Sequence, residues 1–186
     1  MFIRLTCECL KEIYKYCGGA MAKNPARPAY SFIQVVVGSD GMMAYALDGY
    51  RLAKICITPD EWEGEGQFLL PVTKVPKLAT YCEISIKEDS TELVFNDGTT
   101  FCSKCPDPDF PSVQSLNANF KRYDEPKFSI WFDPRLLVEA LKALQTGKSA
   151  VRLDFFSEVS PVIMRRDGDF KENRIMVLPV HPPKKK

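Results

Sequence analysis

The 186-residue chain has little of what hydrolytic and metal centres favour: a single histidine, His181, lies in a tail of prolines and lysines. It also lacks an excess of either charge sign, with 25 basic against 24 acidic residues and a formal net charge of +1. That balance removes the simplest mark of a nucleic-acid-binding domain, a strongly basic whole chain, so contact with phosphates must come from a local face. Disorder needs few apolar residues and a high net charge, and 45% hydrophobic content excludes it. No apolar run approaches the length of a bilayer crossing, and the first 17 residues lack the charged-then-apolar layout of a signal peptide. A cytoplasmic location with no membrane partner is the expectation. There is no Gly-rich phosphate loop and no cluster of metal ligands. Asp40, Asp48 and Asp97 each precede a glycine, where Asp has a local backbone role. The sequence predicts a non-catalytic protein without a cofactor.

Seven cysteines, Cys7, Cys9, Cys17, Cys56, Cys82, Cys102 and Cys105, are an odd number and read as thiols in a reducing compartment. Cys102-Ser-Lys-Cys105 is the one tempting zinc pair, but a structural site needs two further ligands at comparable spacing. Small buried apolar residues are the better reading of these thiols.

What is present is a repeat. Residues 2–5 predict a strand, Thr6 an N-cap, and Leu10, Ile13, Tyr14 and Cys17 a helix stopped at Gly18-Gly19. Strands follow over 31–37, 42–47 and 50–57, with Ser39-Asp40-Gly41 and Asp48-Gly49 as turns. After an acidic connection the pattern restarts. A strand is predicted over 67–70 and a short helix over 71–81 with Thr73 as its cap. Strands over 83–87, 92–95 and 99–103 then turn through Asn96-Asp97-Gly98. Four prolines make 106–126 read as a linker. The third pass has a strand over 128–132, Asp133 as cap and Pro134 at the first helical position. An apolar stripe of Leu136, Leu137, Ala140, Leu141 and Leu144 ends at Gly147. Strands over 151–155, 161–165 and 174–180 complete it, with Asp167-Gly168-Asp169 as a turn. The expected class is α+β: three helix-plus-antiparallel-meander half-units of about sixty residues.

Ala46-Leu-Asp-Gly-Tyr-Arg-Leu-Ala53 closely resembles the signature Ala-Thr-Asp-Gly-His-Arg-Leu-Ala of the bacterial sliding clamp, the beta subunit of DNA polymerase III. Phe68-Leu-Leu-Pro71 with Lys74, Pro108-Asp-Phe-Pro111, the run from Phe132 to Leu144, Ser160-Pro161 and Met176 to Val180 resemble clamp motifs in clamp order. The resemblance implies a DNA-clamp-like fold, with residues 1–114 as a clamp-like domain of two half-units (about 1–58 and 67–105). A linker over 115–126, a half-domain over 127–182 and a basic tail over 183–186 follow. Relative to the family, the chain resembles the middle domain joined to the final half-domain. Leu47 and Tyr50 replace the signature's Thr and His.

Clamps hold linear peptides of polymerase and repair proteins in a pocket between their middle and last domains. The resemblance carries that pocket to Tyr30, Leu47, Gly49, Tyr50, Arg51, Leu52, Pro71, Val75, Met176 and Leu178. Judged on residue type alone, Leu47, Leu52, Val75 and Leu178 are ordinary core residues. Clamp helices also present cations to DNA, which implies a DNA-facing set of Lys11, Lys15, Lys23, Arg27, Lys74, Lys77, Arg135 and Lys142. Glu8, Glu12 and Glu139 interrupt that face. The implied partners are DNA polymerase or other replication and repair proteins, double-stranded DNA read without sequence specificity, and further copies of the chain. The implied role is that of a processivity-type accessory protein. The competing reading is a clamp mimic that occupies clamp-binding proteins without encircling DNA.

Overall fold

The computed structural model describes residues 1–23, 26–107, 109–121, 126, 128–145, 150–166 and 174–181. The chain divides into two compact units, Met1–Ala118 and Asn119–Lys186.

In the first unit β1 (Phe2–Thr6) alternates strictly, with Ile3 and Leu5 fully buried. Thr6 then caps α1 (Cys7–Gly18), its Oγ1 accepting from the Cys9 amide at 3.1 Å. Helical spacing puts Cys7, Leu10, Ile13 and Cys17 on one buried face. A single 3-10 turn, Pro28–Ser31, leads into the meander β2 (Ile33–Gly38), β3 (Gly41–Leu47) and β4 (Leu52–Ile57). The acidic connection holds a short strand, β5 (Glu61–Glu63). The second half-unit supplies β6 (Gly66–Leu70), then a meander of β7 (Tyr81–Ile86), β8 (Ser90–Phe95) and β9 (Thr100–Lys104).

The sheets do not follow chain order. β1 leaves its own meander and pairs antiparallel with β7, giving the order β5-β1-β7-β8-β9. β6 does the reverse and pairs with β2, giving β4-β3-β2-β6. Each half-unit therefore gives its opening strand to the other half's meander. At the two junctions Ile3 lies opposite Ile84, Leu5 opposite Cys82, Leu70 opposite Ile33 and Phe68 opposite Val35. Seven of these eight side chains are 0% exposed and Phe68 is 6% exposed, so the exchange builds the centre of the core. The helix joins both halves, since the Cys7 amide donates to the Thr80 carbonyl at 2.8 Å.

The α+β class with antiparallel sheets holds, but the helix expected over 71–81 does not form; the segment from Pro71 to Thr80 has no regular structure. Pro76 brings no amide and disfavours helical backbone at Val75, while Val72, Thr73 and Val75 are stiff β-branched residues. Thr73 therefore caps nothing. Tyr14 donates to the Pro71 carbonyl at 3.0 Å, and the Asn96 carboxamide accepts from the Thr80 amide at 2.9 Å, so both ends are held without a helix. Conversely, a nine-residue helix, α2 (Val113–Lys121), occupies the proline-rich stretch. Its Asn117 side-chain oxygen accepts from Tyr45 and from Lys54, each at 2.9 Å, which docks the helix on the outer face of β3 and β4.

The second unit contains α3 (Pro134–Leu144) over a meander of β10 (Val151–Asp154), β11 (Val162–Arg166) and β12 (Ile175–Val177). Asp133 caps α3 as expected, accepting from the Arg135 amide at 2.8 Å. The core is small: Ala140, Leu144, Val162, Met164 and Val177. Residues 128–132 form no strand among the described residues, because a single bond, from the Val180 amide to the Trp131 carbonyl at 2.7 Å, does not make a ladder. Gly147, the 167–169 turn, Pro108, residues 122–125 of the expected linker and the 183–186 tail lie outside the described residues.

Thiol chemistry follows this burial. Desolvation pushes the thiols of Cys17 up to about 11 and Cys82 up to about 12, and raises that of Cys7. Cys56 and Cys102 are exposed. Brief alkylation of the folded protein should label Cys56 and Cys102 and spare Cys7, Cys17 and Cys82, read by peptide mass spectrometry. Equal labelling of all five would contradict the packing.

Candidate functional site

The tip of the β3–β4 hairpin is built around one carboxylate. Asp48 Oδ1 accepts from the amides of Tyr50 at 2.9 Å and Arg51 at 2.8 Å, while Oδ2 accepts from Arg51 Nε at 2.9 Å. Gly49 takes φ +90°, a left-handed conformation that favours glycine over any residue with a Cβ. The turn thus fixes Arg51 and throws the Tyr50 ring outward, 98% exposed. The Arg51 side chain, then the Tyr50 and Arg51 amides, hold the Asp48 carboxyl down at about 2. A depressed carboxyl stabilises the fold above its unfolded value, about 3.9, and the contribution fades as pH falls toward the folded value near 2. An NMR titration of the Asp48 carboxyl carbon should therefore give a midpoint near 2; a midpoint near 4 would contradict the turn.

Against this tip lies a shallow cleft lined by Met21, Ala22, Lys23, Ala26, Arg27, Tyr30, Asp48, Tyr50 and Arg51. Tyr30 forms one wall, braced by the Phe110 ring at 5.3 Å between centroids and by the Arg27 guanidinium 5.8 Å from its own ring. Phe110 belongs to the Asp-Phe-Pro part of the proline motif, so that motif has a local packing role. Of the peptide-binding set, Tyr30, Tyr50 and Arg51 meet in this cleft with Gly49 at its turn. Leu47 and Leu52 are opposite partners at the base of the hairpin, both half-buried. Pro71 is buried and Val75 half-buried in the irregular segment, and neither lines the cleft. Met176 and Leu178 stand 62% and 64% exposed in the second unit. Met21, Ala26, Phe110 and the anchoring role of Asp48 were missed; the Asp-Gly turn alone signalled Asp48. A more enclosed cavity, beneath Gln34, Gln67, Thr91 and Cys105, holds none of the expected residues.

The cleft combines aromatic faces, a fixed guanidinium and backbone at a hairpin tip, which suits an extended peptide with apolar anchors and a polar group. The expected DNA-facing cations are more scattered. Lys11 and Lys15 are exposed on α1 but share its surface with Glu8 and Glu12. Lys74 and Lys77 are exposed on the irregular segment rather than on a helix. Arg27 and Lys23 border the cleft, and Arg27 pairs with Asp109 at 3.4 Å. On α3, Lys142 is exposed, and Arg135 is held by Asp133 at 2.8 Å, which lowers the acid and raises the base. A guanidinium already paired has less to offer a phosphate.

No family model and no curated protein sequence matches the chain. Solved structures do. The DNA polymerase sliding clamp of Bacillus subtilis superposes with a TM-score of 0.74 at 16% identity, over 96% of this chain and 49% of that one. The Pseudomonas aeruginosa clamp, solved with a ligand, gives 0.74 at 17% identity, over 96% and 50%. A putative DNA polymerase III beta subunit from Eubacterium rectale gives 0.72 at 12% identity, over 96% and 50%. The chain spans about half the length of these clamps. It has the fold of the bacterial sliding clamp, the beta subunit of DNA polymerase III.

Proposed function

We propose that the protein is a non-catalytic, clamp-related accessory factor of DNA replication or repair that captures linear peptides of its partner proteins. The observation that carries this reading is the cleft at the hairpin tip, where Tyr30, Tyr50 and Arg51 converge on a clamp fold. In this reading Leu47 and Leu52, paired across the base of the hairpin, support the tip. Its working place is the cytoplasm, where DNA and replication proteins are found; among the described residues no helix is long and apolar enough to cross a membrane. The test is fluorescence polarisation with a short labelled peptide carrying a glutamine and two apolar anchors. Tyr50→Ala and Arg51→Ala should each weaken binding at least about tenfold, the size expected for aromatic and arginine anchors. Unchanged binding in both variants overturns the proposed cleft.

DNA contact without sequence specificity is the second element of the reading, through Lys11, Lys15, Lys23, Arg27, Lys74, Lys77, Arg135 and Lys142. The interleaved carboxylates and the ion pairs of Arg27 and Arg135 favour the alternative, an adaptor or competitor that binds partner proteins without encircling DNA. Lys11→Glu with Lys15→Glu distinguishes the two. Tethering requires weaker duplex binding and a smaller salt dependence in the double variant. The adaptor reading requires no change in peptide capture and no measurable duplex binding by the unaltered protein.

A further inference from the structure

We infer that the second unit pairs with a second copy of itself by exchanging residues 128–132, in a register set by the first unit. The inference does not depend on the peptide reading. In the first unit β1 runs between two neighbours, with β5 on one edge and β7 of the other half-unit on the other. In the second unit the equivalent segment ends at the cap Asp133, as β1 ends at the cap Thr6. One edge of it is met by the Val180 amide, just past β12, as β1 is met by β5, just past β4. Its other edge has no ladder among the described residues, and β10 pairs with β11 alone. The unit therefore carries both parts of the junction found twice in the first unit, a donor strand and an acceptor edge, with neither joined.

The side chains match that reading. Aligned on the caps, Ile130 and Phe132 stand where Ile3 and Leu5 stand. Aligned on the next strand of each meander, where Leu153 faces the buried Met164 as Ile84 faces the buried Leu93, Val151 and Leu153 of β10 stand where Cys82 and Ile84 stand on β7. The four residues of the formed junction are 0% exposed. Ile130, Phe132 and Val151 are only half-buried and Leu153 is 38% exposed, although its cross-strand partner Met164 is fully buried. Pairing 128–132 with β10 of another copy in the β1–β7 register brings Phe132 opposite Val151 and Ile130 opposite Leu153. On the outer face it brings Trp131 opposite Arg152 and Ser129 opposite Asp154, where the first unit sets Arg4 against Glu83. An Arg beside an indole and a hydroxyl beside a carboxylate are favourable cross-strand neighbours, and no like charges meet. A two-fold axis makes both junctions at once and leaves no edge of β10 open.

The experiment is sedimentation of the full chain at micromolar concentration, with variants. The unaltered chain should run at twice its 21.1 kDa mass, and Leu153→Asp and Arg152→Pro should each run at 21.1 kDa with the same circular dichroism. Mild oxidation of an Ile130→Cys, Leu153→Cys variant should give a disulfide-linked dimer. The register-shifted Ser129→Cys, Leu153→Cys variant and the unaltered chain, which carry the same native thiols, should not. A monomeric unaltered chain, a dimer indifferent to both edge variants, or a disulfide within one chain would overturn the inference.

Discussion

Leu5→Ala is expected to lower the stability of the first unit by about 3–5 kcal/mol, the range for truncating a fully buried leucine that leaves a cavity. Leu5 is 0% exposed and lies opposite Cys82 across the β1–β7 junction. The side chain therefore belongs to one half-unit by sequence and to the other half's sheet by pairing. Its loss should weaken both halves together, because β1 and β6 cross between the sheets. Urea denaturation reads the magnitude, and hydrogen exchange reads the coupling: amides of β2 and of β8 should lose protection in parallel. A loss near 1 kcal/mol, or deprotection of the β5-β1-β7-β8-β9 sheet alone, would contradict the exchanged core.

Met164→Ala is expected to be locally more disruptive. Met164 is fully buried in a core whose other buried members, among the described residues, are Ala140, Leu144, Val162 and Val177. Truncating a buried methionine costs about 2–5 kcal/mol, a large fraction of what so small a cluster supplies. The second unit should therefore unfold in this variant while the first retains its structure. Mass-resolved hydrogen exchange should show fast exchange over α3 and β10–β12 with β1–β4 still protected. Simultaneous loss of protection in both units would show that the small core is not an independent cluster.

The parts of this fold written in local chemistry are legible in the sequence. Thr6 and Asp133 cap helices because a side-chain oxygen reaches an amide two or three residues on, a relation contained within one turn. Asn96-Asp97-Gly98 turns a hairpin because Gly98 accepts φ +88°. Strand partners were not legible. The period-2 pattern of β1 says which face is apolar, but nothing in it names β7, 75 or more residues along, as its neighbour. The helix expected over 71–81 rested on its place in a repeat, and Pro76 with the β-branched run around it prevailed. α2 was hidden because the prolines before it dominate the pattern, and what holds it, Asn117 to Tyr45 and Lys54, is non-local.

The candidate site divides in the same way. The run from Ala46 to Ala53 forms one hairpin, so the placing of Gly49, Tyr50 and Arg51 could be read directly from it. On the opposite wall the resemblance pointed to Tyr30, but the places of Met21 and Ala26 and the bracing of Tyr30 by Phe110 depend on packing between segments up to some eighty residues apart and carry no local sequence signal.

Peptide capture at the hairpin tip is tested most directly by mapping amide shifts in the isotopically labelled full chain as an unlabelled clamp-type peptide is added. Saturable shifts should concentrate on residues 21–23, 26–30 and 48–52, and Tyr50→Ala should abolish them. Shifts confined to the Gln34, Thr91 and Cys105 cavity, or none at all, would contradict peptide binding at this cleft.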